Sequence, residues 1–167
     1  TSQAALITST MLMSLAVSGP INGAISDRLG RRKLPYLIST VLTTSFWAIF
    51  LLVKLPYIML FPLLAAIGLT TGTMIIGFAT AREVNHPGAA GAVGGVVNMS
   101  VLGIASIMQP LVGKILDSHW QGELIDGARV YSEAAYNAAF FWLVVCAALS
   151  IVMVACTKET YCRMSDV

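Results

Sequence analysis

Along this chain the polar positions fall into short clusters and the apolar ones into long runs. Five runs reach the roughly 20 residues that a helix needs to cross a hydrocarbon core about 30 Å thick. They cover residues 3–25, 34–53, 56–81, 89–116 and 135–156. A barrel strand would be nearer 10 residues and would alternate apolar with polar, which these runs do not. In lipid each backbone N–H and C=O must be satisfied within the segment, and a helix does that alone. The pattern predicts an all-α fold, a polytopic transmembrane bundle of five membrane-spanning helices forming one region, with a tail over residues 157–167. Pro35 falls in the first turn of the second helix, where a missing N–H costs little.

The connections are short and charged: Asp27 to Lys33, Lys54 to Pro56, Arg82 to Gly88, and a longer one from Asp117 to Ala134. Links this short make neighbouring helices antiparallel. One side of the membrane then holds Arg28, Arg31, Arg32, Lys33, Arg82, Lys158 and Arg163, and the other Lys54, Lys114 and Arg129. The positive-inside rule puts the first side, and the C-terminus, in the cytoplasm. Tyr57, Trp120 and Tyr136 fall at expected outer edges, where interfacial aromatics belong.

Composition agrees with the pattern. Hydrophobic residues make up 57% of the 167 positions and charged residues 11%, against roughly 25% charged in a soluble domain. Mean hydropathy is +0.81. The net charge of +2, with no basic stripe interleaved with aromatics, gives no reason to expect nucleic acid as a partner. Cys146, Cys156 and Cys162 form neither a disulfide framework nor a zinc pattern, and no metal or cofactor is expected. Cys146 reads as a small hydrophobe. The chain opens at Thr1 and enters an apolar helix without a basic leader, so a signal peptide is not expected and upstream sequence is.

Small residues recur at four-residue spacing in Gly19–Gly23, Gly68–Gly72 and Gly91–Gly95, with Gly94 and Gly103 adding to the fourth helix. Such positions let helix backbones approach closely. They serve either plain bundle packing or a face that slides during a conformational cycle. Thr70 and Thr73 in the third span, and Asn98 and Gln109 in the fourth, are polar groups at membrane depth. They are expected to face the bundle interior, in hydrogen bonds between helices or along a solute path. The fifth span, nearly bare apart from Ser150, is expected to face lipid. No Asp, Glu, Lys, Arg or His lies near the middle of any run, so these spans carry no protonatable group for ion coupling.

The segment Gly23-Ala24-Ile25-Ser26-Asp27-Arg28-Leu29-Gly30-Arg31-Arg32-Lys33 closes one helix and opens the next. Its cations suit the carbonyl end of the first helix, and Gly30 suits a left-handed cap. Asp27, an acid among four bases, is not required by topology.

This segment resembles the loop signature of the major facilitator superfamily, through Gly23, Asp27, Arg28, Gly30, Arg31, Arg32 and Lys33. Residues 90–99 and Gln109-Pro110-Leu111-Val112-Gly113 with Leu116-Asp117 look like helix eleven of bacterial members, and Lys158-Glu159-Thr160 like the polar segment after helix twelve. The resemblance covers nearly the whole chain. It implies that the five helices are eight to twelve of a twelve-helix carrier, a partial C-terminal half in a bacterial inner membrane, whose N-terminal helices are missing here. It further implies that the signature is a conformational latch, with Asp27 and Arg31 at its centre and Gly23 allowing close helix contact. Thr70, Thr73, Asn98 and Gln109 would face the central cavity. The implied function is secondary active or facilitative transport of a small solute by alternating access. The alternative is a membrane scaffold or interaction protein without transport. No His-Glu-x-x-His, no Gly-x-Ser-x-Gly and no pair of membrane-depth acids points to an enzyme.

Overall fold

The structure, a computed structural model, describes residues 2–125 and 127–164. Six α-helices follow one another: α1 Ser2–Leu29, α2 Lys33–Leu52, α3 Tyr57–Thr71, α4 Met74–Glu83, α5 Ala90–Ser118 and α6 Glu133–Cys156. Taken as spans, they give five apolar rods long enough to cross a bilayer, with α3 and α4 sharing the third. The expected bundle is therefore present, with ends within a few residues of those read from hydropathy. A short 3-10 turn over Pro87–Ala89 leads into α5.

Local chemistry explains the ends. At the close of α1 the Gly30 N–H donates to the Asp27 carbonyl and the Arg31 N–H to the Ser26 carbonyl. That pattern is the Schellman cap, which needs a left-handed residue; Gly30 supplies it with φ +62°. Ser132 caps α6, its hydroxyl accepting from the Ala135 N–H at 3.3 Å.

The third span is not one helix. Between Thr71 and Met74 the backbone leaves the α-helical ladder: Thr73 N–H bonds the Thr70 carbonyl and Ile76 N–H the Thr73 carbonyl, three residues back rather than four. The Leu69 carbonyl, released from the ladder by this shift, accepts instead from Asn22 Nδ2 of α1 at 2.9 Å. The expected continuous run over residues 56–81 is corrected to two helices with a break at Gly72–Thr73.

Beside this break α1 and α3 make the tightest packing in the bundle. A Cβ on Gly68 would stand 2.3 Å from the Met11 carbonyl oxygen, and one on Gly72 1.7 Å from Ser18 Oγ. Glycine is required at both positions because α1 occupies the space of a side chain, through its backbone at Gly68 and through the Ser18 side chain at Gly72. Ser18, fully buried, donates within this contact to the Leu15 carbonyl and approaches the Gly68 carbonyl at 3.2 Å.

Around this pair, α2 packs on α3 and α6, and α5 on α4 and α6. Ile67 and Ile76 are the large apolar side chains enclosed in the core. Outward faces stay apolar, with Leu52, Ile58 and Met99 each at least 70% exposed, as suits a bundle whose solvent is hydrocarbon. The fifth span departs from expectation. It does present Trp142, Leu149 and Met153 outward, but its other side buries Ala135, Ala139 and Val154 in packing with α2 and α5.

In the long connection, Leu124–Ile125 and Ala128–Arg129 form a small antiparallel ladder, β1 and β2, that hydropathy did not foretell.

Candidate functional site: a charge cluster at the basic end

Helix parity brings the α1–α2 turn, the end of α4 and the segment after α6 to the same end of the bundle. Arg32, buried at 9% exposure, is the hub where they meet. Its Nη1 donates to Asp27 Oδ1 at 2.6 Å and to Ser26 Oγ at 3.0 Å. Its Nε and Nη2 both donate to Glu83 Oε1, at 3.0 and 2.7 Å. Glu83 is buried as well, and its second oxygen accepts from the Thr160 hydroxyl. The Arg32 side chain thus ties the end of α1 to the end of α4, and Glu83 ties α4 to the tail.

The tail contributes a second carboxylate. Glu159 accepts from the backbone N–H of Arg32 at 2.6 Å and of Lys33 at 3.1 Å, two of the donors that a helix start leaves without partners. It therefore caps α2 from 127 residues away in sequence, with its charge placed where the helix dipole favours an anion. Tyr161 and Cys162 adopt positive φ to turn the tail back over the cluster, and Cys162 Sγ lies 3.7 Å from the Ser26 carbonyl.

The electrostatics follow from this geometry. Burial alone would lower the Arg32 pKa, but hydrogen bonds to Glu83 and Asp27 outweigh it and push the guanidinium above arginine's usual range. Burial would likewise raise Glu159; the backbone N–H groups of Arg32, Tyr161, Lys33 and Thr160 prevail and hold it below the usual carboxylate range. Burial pushes the Cys162 thiol up, so it is a poor thiolate. The buried Arg32–Glu83 pair, with the exposed Asp27 as a second acid on the same cation, makes a fastener: it holds three segments while closed and leaves a costly unpaired charge if parted.

The signature residues are not all in it. Asp27 and Arg32 form the ion pair, whereas Arg31, favoured at sequence level, is exposed and makes no salt bridge among the described residues. Arg28 is exposed too, and Lys33 takes part through its backbone N–H. Gly30 shapes the turn, and Gly23 makes only ordinary contact, a Cβ there standing 3.9 Å from Ile75 Cγ2. Glu83 and Glu159 were missed. The signal was available: they share with Asp27 the side to which parity assigns seven of the ten basic residues.

The polar groups proposed for a solute path separate into two places. Thr70 and Thr73 line one cavity of about 160 Å³ between α2, the α3–α4 break and α6. Asn98 and Gln109 are both exposed on α5, so the expectation that they face the interior of this bundle is corrected. α5 touches its neighbours only along its flank on α4 and α6, which leaves its polar stripe open. Gly91, Gly95 and Gly103 on α5 also have free space where a side chain would go, while Gly94 packs against the Arg82 guanidinium. Gly19 has similar space, although its amide backs the Gly72 contact. Among the described residues no cluster of His, Cys, Asp and Glu could hold a metal ion.

Against known families, the sequence model of the Major Facilitator Superfamily matches residues 1–160, which takes in the signature turn, all five spans and the Glu159 cap. The chain belongs to the Major Facilitator Superfamily. Searches of curated proteins and of solved structures gave no match. Membership of the Major Facilitator Superfamily makes this an integral membrane protein of a family that transports small solutes, and the five apolar rods agree.

Proposed function

We propose that the chain is the C-terminal portion, helices eight to twelve, of a bacterial carrier that moves a small polar solute by alternating access, with its basic end in the cytoplasm. The likeness of α5 to helix eleven and the seven-to-three division of basic residues support this placement. Both the open polar stripe of α5 and the exposed glycines beside it suit a face turned towards a second helical half.

In this reading the charge cluster is the latch of the cycle. The single observation that carries it is Arg32, whose one guanidinium bonds Asp27 of α1 and Glu83 of α4 at once. Relative movement of those helix ends must break a buried pair, which gives the closed state a discrete free-energy advantage rather than a continuous one. The latch is centred on Asp27, Arg32 and Glu83, with Glu159 holding the tail in place.

The test uses the whole carrier in liposomes. Asp27→Asn and Glu83→Gln are expected to slow uptake across a panel of small polar solutes while leaving membrane insertion and purified yield intact. Wild-type rates in both variants would remove the cluster from the transport cycle. No flux of any solute in the unaltered carrier would favour a scaffold role instead.

A further inference from the structure

Two openings follow one another along α2 from the basic end inwards. The outer is an open crevice of about 440 Å³ whose walls include Lys33, Tyr36, Ala81, Val84 and Lys158. The inner, of about 160 Å³, includes Tyr36 again and continues past Thr40 and Thr44. The same succession runs along α6 and the residues after it, from Lys158 through Val154 and Ser150 to Ala147. Positions three or four apart share a helix face, so the two openings form one groove. At about 1.5 Å of rise per residue, Lys33 to Thr44 spans about 16 Å. Half of a hydrocarbon core is about 15 Å. The groove is as deep as one leaflet.

Its lining is mostly apolar along its whole length. The hydroxyls of Thr40, Thr44, Thr70, Thr73 and Ser150 each donate to a carbonyl three or four residues back. Hydrocarbon can therefore lie against them without stranding a donor. The mouth differs. Lys33 opens α2, Lys158 follows the end of α6, and among the described residues no acid pairs with either side chain. Glu83 and Glu159 reach the same end of the bundle but are engaged elsewhere. Glu83 binds Arg32 and Thr160, and Glu159 accepts from the backbone N–H groups of Arg32, Lys33, Thr160 and Tyr161.

We infer that this groove is a binding site for one anionic phospholipid, its phosphate held by Lys33 and Lys158 and one acyl chain laid between α2, α4 and α6. Unpaired lysines at the level of the headgroups attract an anionic lipid, and basic recesses between membrane helices suit such headgroups. The apolar walls complete the match, since they run to the depth that a chain of the same leaflet reaches. A free phosphate would leave the groove empty, and a zwitterionic lipid would bring a second cation to the two lysines. The inference needs lipid as the surrounding medium and nothing of the transport cycle.

The experiment is native mass spectrometry of the whole carrier, titrated with phosphatidylglycerol, with phosphatidylcholine of the same chains, and with inorganic phosphate as competitor. The double variant Lys33→Gln, Lys158→Gln keeps side-chain length and leaves the Lys33 backbone N–H to Glu159. It is expected to lose roughly 30-fold in affinity for one phosphatidylglycerol, taking each lysine at about a fivefold effect. Arg31→Gln changes an exposed base at the same end that does not line the groove, and should keep wild-type affinity. An unchanged affinity in the double variant, or an equal loss in Arg31→Gln, overturns the inference. So does phosphatidylcholine bound as tightly as phosphatidylglycerol, or displacement of the lipid by phosphate at equal concentration. A second measurement needs no variant. Phosphatidylglycerol carrying a diazirine on its acyl chain should label residues 36–44 several-fold more than the matching phosphatidylcholine does; equal labelling means bulk lipid only and also overturns the site.

Discussion

The two ends of the bundle use opposite charges in unlike ways. At the basic end Arg32 and Glu83, each with a side chain 10% exposed, form a forked pair inside a network that joins α1, α2, α4 and the tail. At the opposite end Lys54 and Glu133 meet at 3.1 Å with side chains 86% and 65% exposed, and Arg129 meets Asp117 with both half-exposed. Arg129 also lies 4.7 Å over the Trp120 ring, and Tyr131 donates to Asp117, which steadies the small ladder of the long connection. The first arrangement links elements far apart in sequence and keeps its Arg32–Glu83 pair out of water, with Asp27 at the exposed rim. The second holds connections to helix ends in high dielectric. Burial, more than the number of pairs, decides which end is fastened.

Truncating the hub should produce the largest effect. Arg32→Ala leaves Glu83 buried without its cation, and loss of one member of a buried pair costs about 3–5 kcal/mol. Unfolding in mild detergent should show a loss of that order. A loss under about 1 kcal/mol would mean that the two ends differ little in strength.

A smaller effect should follow from acid. Glu159 is held below the usual carboxylate range in the folded protein. A lowered folded pKa contributes stability that is complete above the unfolded value, roughly 4.3, and is lost as pH falls through the folded one. Docking of the tail should therefore be flat from neutral pH down to about 5 and weaken only below the ordinary glutamate range. Protease cleavage after Lys158 or Arg163, followed against pH, reads this directly. Release already at pH 6 would contradict it. Glu159→Gln should give, at neutral pH, the susceptibility that the native chain shows in acid.

The opposite end should respond least. Lys54→Ala removes an exposed pair whose expected worth is about 0–1 kcal/mol, and added salt should screen it further. Arg31→Ala, a neighbour of the hub with no salt bridge, should behave similarly in stability. If it instead matches Arg32→Ala, the assignment of the hub is wrong.

Hydropathy made the spans legible because lipid imposes a length and excludes charge, and both are linear properties of a sequence. The Gly30 cap was legible for a similar reason: a left-handed turn between two helices has few chemical solutions. The partners within the cluster were harder to see. Arg31 and Arg32 have the same charge, but both lie in the turn before α2, where no helical period fixes their directions, and only the fold decides which one turns inwards. Glu83 and Glu159 sit 51 and 127 residues from Arg32, beyond any local motif. The break at Gly72–Thr73 is invisible to hydropathy because Thr71, Gly72 and Thr73 sit comfortably in an apolar run; the tight approach of Ser18 of α1 is what singles out that point. Asn98 and Gln109 announced that they avoid hydrocarbon without saying which surface would meet them.

The cap on α2 has a consequence for biosynthesis. α2 leaves the ribosome well over a hundred residues before the carboxylate that will cover its first amides. Until the last span has been inserted and the chain has turned back, Arg32 and Lys33 offer bare donors to lipid headgroups or water. Closure of the basic end is then among the final acts of assembly, and a chain released before Glu159 would have its helices in place with one end still undone.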